Sequence, residues 1–433
     1  MKNSLSTLFA TTALVAFGSV FIAKADAQQA PAQPAAPAAE APKPAPLVFS
    51  PDWANDIKFG VQVEGGIVFN TASPRNGLNF GQLFTDRSNQ ATLNQVALTL
   101  GRTIDPKTTG FDIGFKVQAM YGSDARFTQY LGLFGPMGSR YQVDLTEANV
   151  TLRLPVITEG GIDVKAGFYS TPMGLETIDP STNPFYSHSY IFNFGLPLKH
   201  TGIYTVTHLT DVVDLHMGVD TGINTMFGNR HGDNNGSAAF LGGIGLNLMD
   251  GKLTVLALTH IGPENATRAV GSLANSRNRY SSDVLVTYKP SETLTFTTEF
   301  NLIRDDLGFG RGAVNAGGVA QYVSYAVSDT WTLNGRAEVF RDDNGFFVAG
   351  FRNNSGPYNA LGGFPVSGFV GTSRGTTYAA FTAGGTWKPK FHDQVSTFMI
   401  RPEVRYDQAL TSNRPFSGRS NALTIAADLV IGF

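Results

Sequence analysis

Thr424-Ile425-Ala426-Ala427-Asp428-Leu429-Val430-Ile431-Gly432-Phe433 closes the sequence, and its alternation decides the fold. Ile425, Ala427, Leu429, Ile431 and Phe433 share one parity, while Thr424, Ala426, Asp428, Val430 and Gly432 share the other. Side chains along a strand point to opposite faces with period two. The segment therefore reads as a strand with one greasy face and one small, mostly polar face. A strand of a soluble sandwich has the same pattern in isolation, so the rest of the chain must decide.

The pattern recurs. Ile57, Phe59, Val61, Val63, Ile67 and Phe69 alternate with Lys58, Gln62 and Glu64. Phe111, Ile113, Phe115, Val117, Ala119 and Tyr121 alternate with Asp112, Lys116 and Gln118. Equivalent segments lie at 143–154, 162–168, 213–219, 294–302 and 398–406. Less regular ones lie at 92–100, 201–208, 238–248, 253–261, 280–289, 319–327, 333–340 and 377–387. With the terminal segment these make 16 strands, and an even number puts both ends on one side of a membrane. Short links with turn chemistry, such as Met249-Asp250-Gly251-Lys252 and Lys289-Pro290-Ser291-Glu292, alternate with long Gly/Asn/Pro-rich stretches. That is how an outer-membrane barrel distributes periplasmic turns and extracellular loops. The expected fold is an all-β, transmembrane, antiparallel up-and-down barrel of about 16 strands over residues 57–433.

Composition agrees. Charged residues make up only 15% of the chain, against roughly 25% in ordinary soluble domains. A net charge of −2 gives nucleic-acid binding no electrostatic basis. The absence of cysteine excludes disulfides and thiolate metal sites. A lysine or arginine facing lipid at mid-bilayer costs about 2–4 kcal/mol, and the mid-strand charges fall almost entirely on the non-greasy parity. Packed into a dry core they would need partners that are hard to supply. Facing the aqueous lumen of a 16-stranded barrel, they need none. The residues expected to line a pore are Glu64, Lys116, Glu147, Lys165, Asp283, Glu299, Arg336, Glu338, Arg401, Glu403, Arg405 and Asp428. Both signs are present in similar numbers, so selectivity should be weak unless the signs segregate to opposite walls.

The N-terminus reads as an export signal. Lys2 precedes an uncharged apolar run to Ile22, and Ala23-Lys24-Ala25 and Ala25-Asp26-Ala27 offer small-x-small cleavage sites. Residues 1–27 are expected to be cleaved. Residues 28–56, rich in Ala and Pro, are expected to be a periplasmic linker that samples polyproline II. A terminal aromatic on an alternating strand resembles the signal that outer-membrane barrels present to the barrel assembly machinery.

One connection, 170–200, is too long for a simple link. It carries Pro172, Pro180, Pro184 and Pro197 and the aromatics Phe185, Tyr186, Tyr190, Phe192 and Phe194. Such a loop must pack on something, either the lumen, where it would form a constriction, or a subunit contact outside the barrel. Glu176, Asp179, Phe185, Tyr186 and Tyr190 are its expected constriction residues. Acids there facing Arg336, Arg401 and Arg405 would set a transverse field. Catalysis is not expected: His208 and His216 flank a short turn and could pair across a hairpin, and His260 is far along the chain from both. His188 and His200 fall in the long connection. His208, His216 and Asp214 lack a distinctive metal spacing. Asp233-Asn234-Asn235-Gly236 and Asp342-Asp343-Asn344-Gly345 read as polar turns without the full Ca²⁺-loop spacing.

Several blocks carry a family likeness: Leu78-Asn79-Phe80-Gly81-Gln82-Leu83-Phe84-Thr85-Asp86-Arg87, Asn183-Pro184-Phe185-Tyr186-Ser187-His188-Ser189-Tyr190 and Arg401-Pro402-Glu403-Val404-Arg405-Tyr406-Asp407. With Tyr121–Phe127 and Phe340–Gly345, they make the chain after Ile57 resemble the OmpL-like β-barrel porin family of Gram-negative outer-membrane proteins. The resemblance implies a porin-like protein of the cell outer membrane, without catalytic residues. The expected function is a channel for passive diffusion of small hydrophilic solutes or ions. The alternative is a plugged barrel with a structural or adhesion role. The expected partners are outer-membrane lipid, the assembly machinery, small hydrophilic solutes and further copies of the chain, a trimer first among them. No cofactor, metal or nucleic acid is expected.

Overall fold

The terminal strand and the first alternating strand meet edge to edge. Phe433 N donates to Val61 O at 2.9 Å, and Val61 N returns the bond to Phe433 O at 3.2 Å. In the computed structural model this contact closes a barrel. The structure describes residues 53–433 except for 106–107, 109, 132, 135–138, 228–233, 309–311 and 349–374. The expected signal segment and most of the linker lie outside the described residues.

The strands are β1 (Lys58–Asn70), β2 (Gln90–Arg102), β3 (Asp112–Gly122), β4 (Gln142–Leu154), β5 (Ile162–Ser170), β6 (Lys199–His208), β7 (Val213–Asp220) and β8 (Ala239–Leu248). They continue as β9 (Leu253–Gly262), β10 (Arg279–Tyr288), β11 (Leu294–Asp305), β12 (Val314–Ala326), β13 (Trp331–Asp342), β14 (Thr376–Trp387), β15 (Thr397–Ala409) and β16 (Asn421–Gly432). Each pairs antiparallel with its sequence neighbours, and β1 pairs with β16. Closure leaves no sheet edge unpaired. On the terminal strand Ile425, Leu429 and Phe433 are exposed on the outer surface, while Thr424, Ala426, Asp428 and Val430 are buried inside.

Two strands break the period of two, and both breaks are bulges. Glu64 of β1 pairs with Gln95 and Gly65 with Leu93, which leaves Asn94 as an extra residue in β2. Gln118 of β3 pairs with Glu147 and Ala119 with Leu145, which leaves Thr146 extra in β4. A bulge sets two consecutive residues against one and re-aims the strand beyond it. Asn94 and Gln95 are both buried, as are Thr146 and Glu147. This is why 92–100 alternates poorly in sequence, and why the alternation of 143–154 is regular only beyond Thr146.

Ahead of β1, Trp53–Asp56 forms a short turn against the barrel base. The Trp53 indole N–H donates to Ile113 O at 2.7 Å, and the ring lies against Arg102.

The outer face sets a testable asymmetry. Val117 is exposed on the lipid side of β3, and its neighbour Lys116 points inward. Val117→Arg is expected to lose about 2–4 kcal/mol of unfolding free energy in lipid, whereas Lys116→Ala should change stability little. Urea titration of the barrel reconstituted in vesicles measures both. Equal effects would contradict the assignment of faces.

Candidate functional site: a loop braced across the lumen

The connection between β5 and β6 runs into the barrel. It contains a short 3-10 turn at Pro180–Thr182 and one wide turn at Ile191–Gly195, and is otherwise irregular. Irregular backbone at membrane depth survives only where protein or a water-lined cavity satisfies its polar groups. Here the barrel wall does so with charged side chains.

Wall arginines take loop carbonyls. Arg401 of β15 donates Nη1 to Pro180 O at 2.7 Å and to Asn183 O at 2.8 Å. Arg336 of β13 donates to Ser187 O at 2.8 Å, and Arg405 of β15 to His188 O at 2.7 Å. Wall carboxylates take loop amides. Glu403 accepts from Tyr186 N at 2.9 Å and Ser187 N at 3.2 Å, Glu338 from Tyr190 N at 2.7 Å, and Glu299 from Leu175 N at 3.3 Å. Two of these arginines also pair with carboxylates of the wall. Arg401 binds Asp428 and, at 3.2 Å, Glu64, while Arg405 binds Asp407 at 2.8 Å. A buried guanidinium is tolerable only when its fork is filled in this way.

Of the twelve residues expected to line a pore, nine therefore lie beneath the loop. Glu64, Glu299, Arg336, Glu338, Arg401, Glu403, Arg405 and Asp428 are buried against it or its partners. Asp283 is buried with Asn301 Nδ2 at 3.1 Å from its carboxylate. The other three lie on β3–β5. Lys116 is half-exposed and 3.6 Å from Glu147, and Lys165 is half-buried on β5. Glu147 is buried and accepts from Asn149 at 2.6 Å.

The five loop residues divide in role. Glu176 meets Arg336 directly, with Oε1 2.5 Å from Nη1. The expected transverse field between loop acids and wall arginines is thus replaced, at this pair, by contact. Asp179 accepts from Gln62 and from Ser181 N, both at 2.9 Å, and turns the loop at its deepest point. Phe185 lies under the Arg336 guanidinium, Tyr186 donates its hydroxyl to Asn94 at 2.7 Å, and Tyr190 stacks on Tyr378. Gly66 of β1 is required by this packing, since a Cβ there would come within 2.6 Å of the Tyr186 ring. Below the loop tip, Ser181, Lys388, Lys390, His392 and Phe398 border a cavity of about 570 Å³.

Two further segments complete the inner packing. In the β1–β2 connection, Phe84 packs on Phe192, Phe127 and His188. In the β13–β14 connection, Phe346, Phe347 and Val348 are buried in the same cluster. Beside this cap, burial pushes the Asp124 carboxyl up to about 6, against the amide of Asn94 at 3.0 Å and the charge of Arg126.

The histidines sort differently from the sequence expectation. His208 does not pair with His216 across the β6–β7 hairpin. It faces Asp214 at 2.7 Å, and His216 meets the Tyr204 hydroxyl at 2.5 Å. His200 belongs to β6 rather than to the loop, and it lies beside His260, with ring centroids 5.0 Å apart. Asp342 accepts from Phe346 N and Val348 N, as a turn aspartate does.

The family model described as "Putative beta-barrel porin-2, OmpL-like" matches residues 56–433. Among solved structures, the outer membrane channel DcaP of Acinetobacter baumannii is similar at TM-score 0.51 and 12% identity, covering 87% of this chain and 96% of that one. OmpF of Salmonella typhi, solved in complex with daunomycin, is similar at TM-score 0.52 and 11% identity, covering 88% and 99%. At such identities the likeness is one of fold. No curated protein matches in sequence.

Proposed function

The chain belongs to the OmpL-like β-barrel porin family and is a porin-like outer-membrane channel, and we propose that it passes small hydrophilic solutes and ions by passive diffusion, with residues 171–198 as its constriction. The observation that carries this reading is the anchoring of that loop. Three wall arginines hold its carbonyls and three wall carboxylates hold its amides. Anchoring of that kind sets a fixed aperture. The polar inner face of β3–β5, with Lys116, Lys165 and the Arg153–Asp163 pair at 2.9 Å, suits a wet passage of mixed sign. Weak ion selectivity follows from that mixture.

Purified protein in a planar bilayer should give stepwise conductance, with a reversal potential close to zero in asymmetric KCl. A correctly folded barrel that stays silent would remove diffusion as the resting function. One observation favours the second reading, a barrel plugged at rest: the wall charges beneath the loop are almost wholly shielded from water. The same recording separates the two.

The proposal extends to the Gram-negative outer membrane as location, to delivery by the barrel assembly machinery and to homo-trimeric assembly. Native electrophoresis of detergent-solubilised protein reads the oligomer. A non-enzymatic role belongs to the same reading.

A further inference from the structure

A second buried polar cluster lies away from the loop anchors, at the extracellular ends of β6, β7 and β9. His200, Asp220 and His260 are buried, and one ligand atom from each lies within 4.8 Å of the others. Among the described residues they are the one group of three so placed. Asp220 stands between the two imidazoles, with Oδ2 2.9 Å from His200 Nδ1 and Oδ1 3.0 Å from His260 Nε2. Gly222 N donates to Oδ1 at 2.8 Å and fixes the carboxylate.

The hydrogen-bond count of this cluster does not close. If both rings donate to Asp220 and are neutral, their opposite nitrogens carry lone pairs. That suits His200, whose Nε2 is 3.1 Å from the Thr171 hydroxyl. It does not suit His260. Its Nδ1 is 3.8 Å from Glu264 Oε1, and both atoms are buried without a hydrogen-bond partner. Orphaned buried polar atoms cost enough to call for an explanation.

We propose that His200 Nδ1, His260 Nε2 and the Asp220 carboxylate form a binding site for a divalent transition-metal ion of the zinc class, with Glu264 orienting His260 from outside the coordination shell. Two imidazoles and a carboxylate, without thiolate, are the donors that Zn²⁺ accepts, with a fourth position for water. Metal binding needs only a change of tautomer in each ring. His260 then carries its proton on Nδ1, toward Glu264, and His200 carries its proton on Nε2, toward Thr171. Neutral rings release no net proton. A ligating histidine whose other N–H faces a carboxylate is the usual outer arrangement. The 2.9–3.0 Å separations are a little under the roughly 3.4 Å edge of a tetrahedral shell with 2.1 Å bonds. Arg279, whose charge opposes a cation here, is neutralised by Asp305 at 2.7 Å. The ion would tie three strands together where the inner loop begins at Thr171. The competing arrangement is a His260 imidazolium between Asp220 and Glu264, which needs no metal.

The test uses the full barrel in detergent micelles, stripped with chelator and titrated with Zn²⁺ by calorimetry and with Co²⁺ by visible absorption. One ion per chain and cobalt ligand-field bands are expected. The paired change His200→Gln and His260→Gln should weaken zinc at least about 100-fold, and Glu264→Gln about tenfold. The exposed His392→Gln should change nothing. Heat-modifiable electrophoretic mobility reports that each variant is folded. Wild-type protein that takes up no zinc would favour the imidazolium arrangement and overturn the site. Undiminished zinc binding in the folded double variant would overturn it equally. The wild-type stoichiometry and cobalt spectrum decide the matter even if a variant fails to fold.

Discussion

Excising Thr177–His188 and joining Glu176 to Ser189 is expected to raise single-channel conductance about threefold or more, because a 16-stranded barrel without an inner loop has a wide aqueous lumen. The two cut ends are already in contact, since Ser189 N donates to the Glu176 side-chain carboxylate at 2.7 Å. The excision removes the deepest part of the loop, including the Asp179 turn, the Tyr186 ring that fills the space over Gly66, and both carbonyls held by Arg401. Arg401, Glu403 and Asp428 would then meet water in place of loop backbone, so the variant should still fold. Single-channel recording of wild type and variant under identical salt makes the comparison. A resting plug requires a silent wild type and a conducting variant, whereas a fixed constriction requires steps from both. Equal conductance would show that the loop is not the narrow point.

Arg401→Ala is expected to destabilise the barrel by about 3–5 kcal/mol, the range for stripping one partner from a buried charge pair. The loss has three parts. Asp428 and Glu64 become neighbouring carboxylates without their cation, and the carbonyls of Pro180 and Asn183 lose a donor. The chain between Asp179 and Pro184 is then tied to the wall by the Gln62 bond to Asp179 and the Asn334 bond to Pro184 O, with no guanidinium between them. Arg401→Lys should recover only part of the loss, since an ammonium cannot reproduce a planar fork that serves two carbonyls and two carboxylates. Urea unfolding followed by electrophoretic mobility gives the values. A loss below about 1 kcal/mol, typical of exposed pairs, would mean that water reaches this level of the lumen and that the loop is not tightly sealed.

The barrel was legible because one physical rule governs nearly every position in it. A membrane strand has lipid on one side and polar surroundings on the other, so Ile425, Leu429 and Phe433 separate from Asp428 without reference to any distant residue. Two irregular stretches have a local cause. At Asn94 and at Thr146 a bulge reverses the parity partway along the strand, and a period of two cannot register that.

The constriction was half legible. The length and aromatic content of the β5–β6 connection marked it as packed, and Glu176, Tyr186 and Tyr190 do face the barrel wall. What they meet could not be read. Tyr186 and its acceptor Glu403 are 217 residues apart, and the inward turn of Phe84 and Phe347 depends on neighbours from other loops. The same limit applied to the histidines: His208 and His216 drew notice because they are close in sequence, while His200 and His260 meet only because four adjacent strands share one wall.

The sequence by itself determined the barrel, its closure through the terminal strand and, away from the two bulges, the face a strand residue takes, because those follow from the alternation of solvent along each strand. Only the tertiary structure decided what the inward charges do. A charge on the lumen side is equally consistent with bathing in water or with gripping a buried loop. The choice depends on whether irregular backbone, arriving from elsewhere in the chain, needs that charge to satisfy its amides and carbonyls.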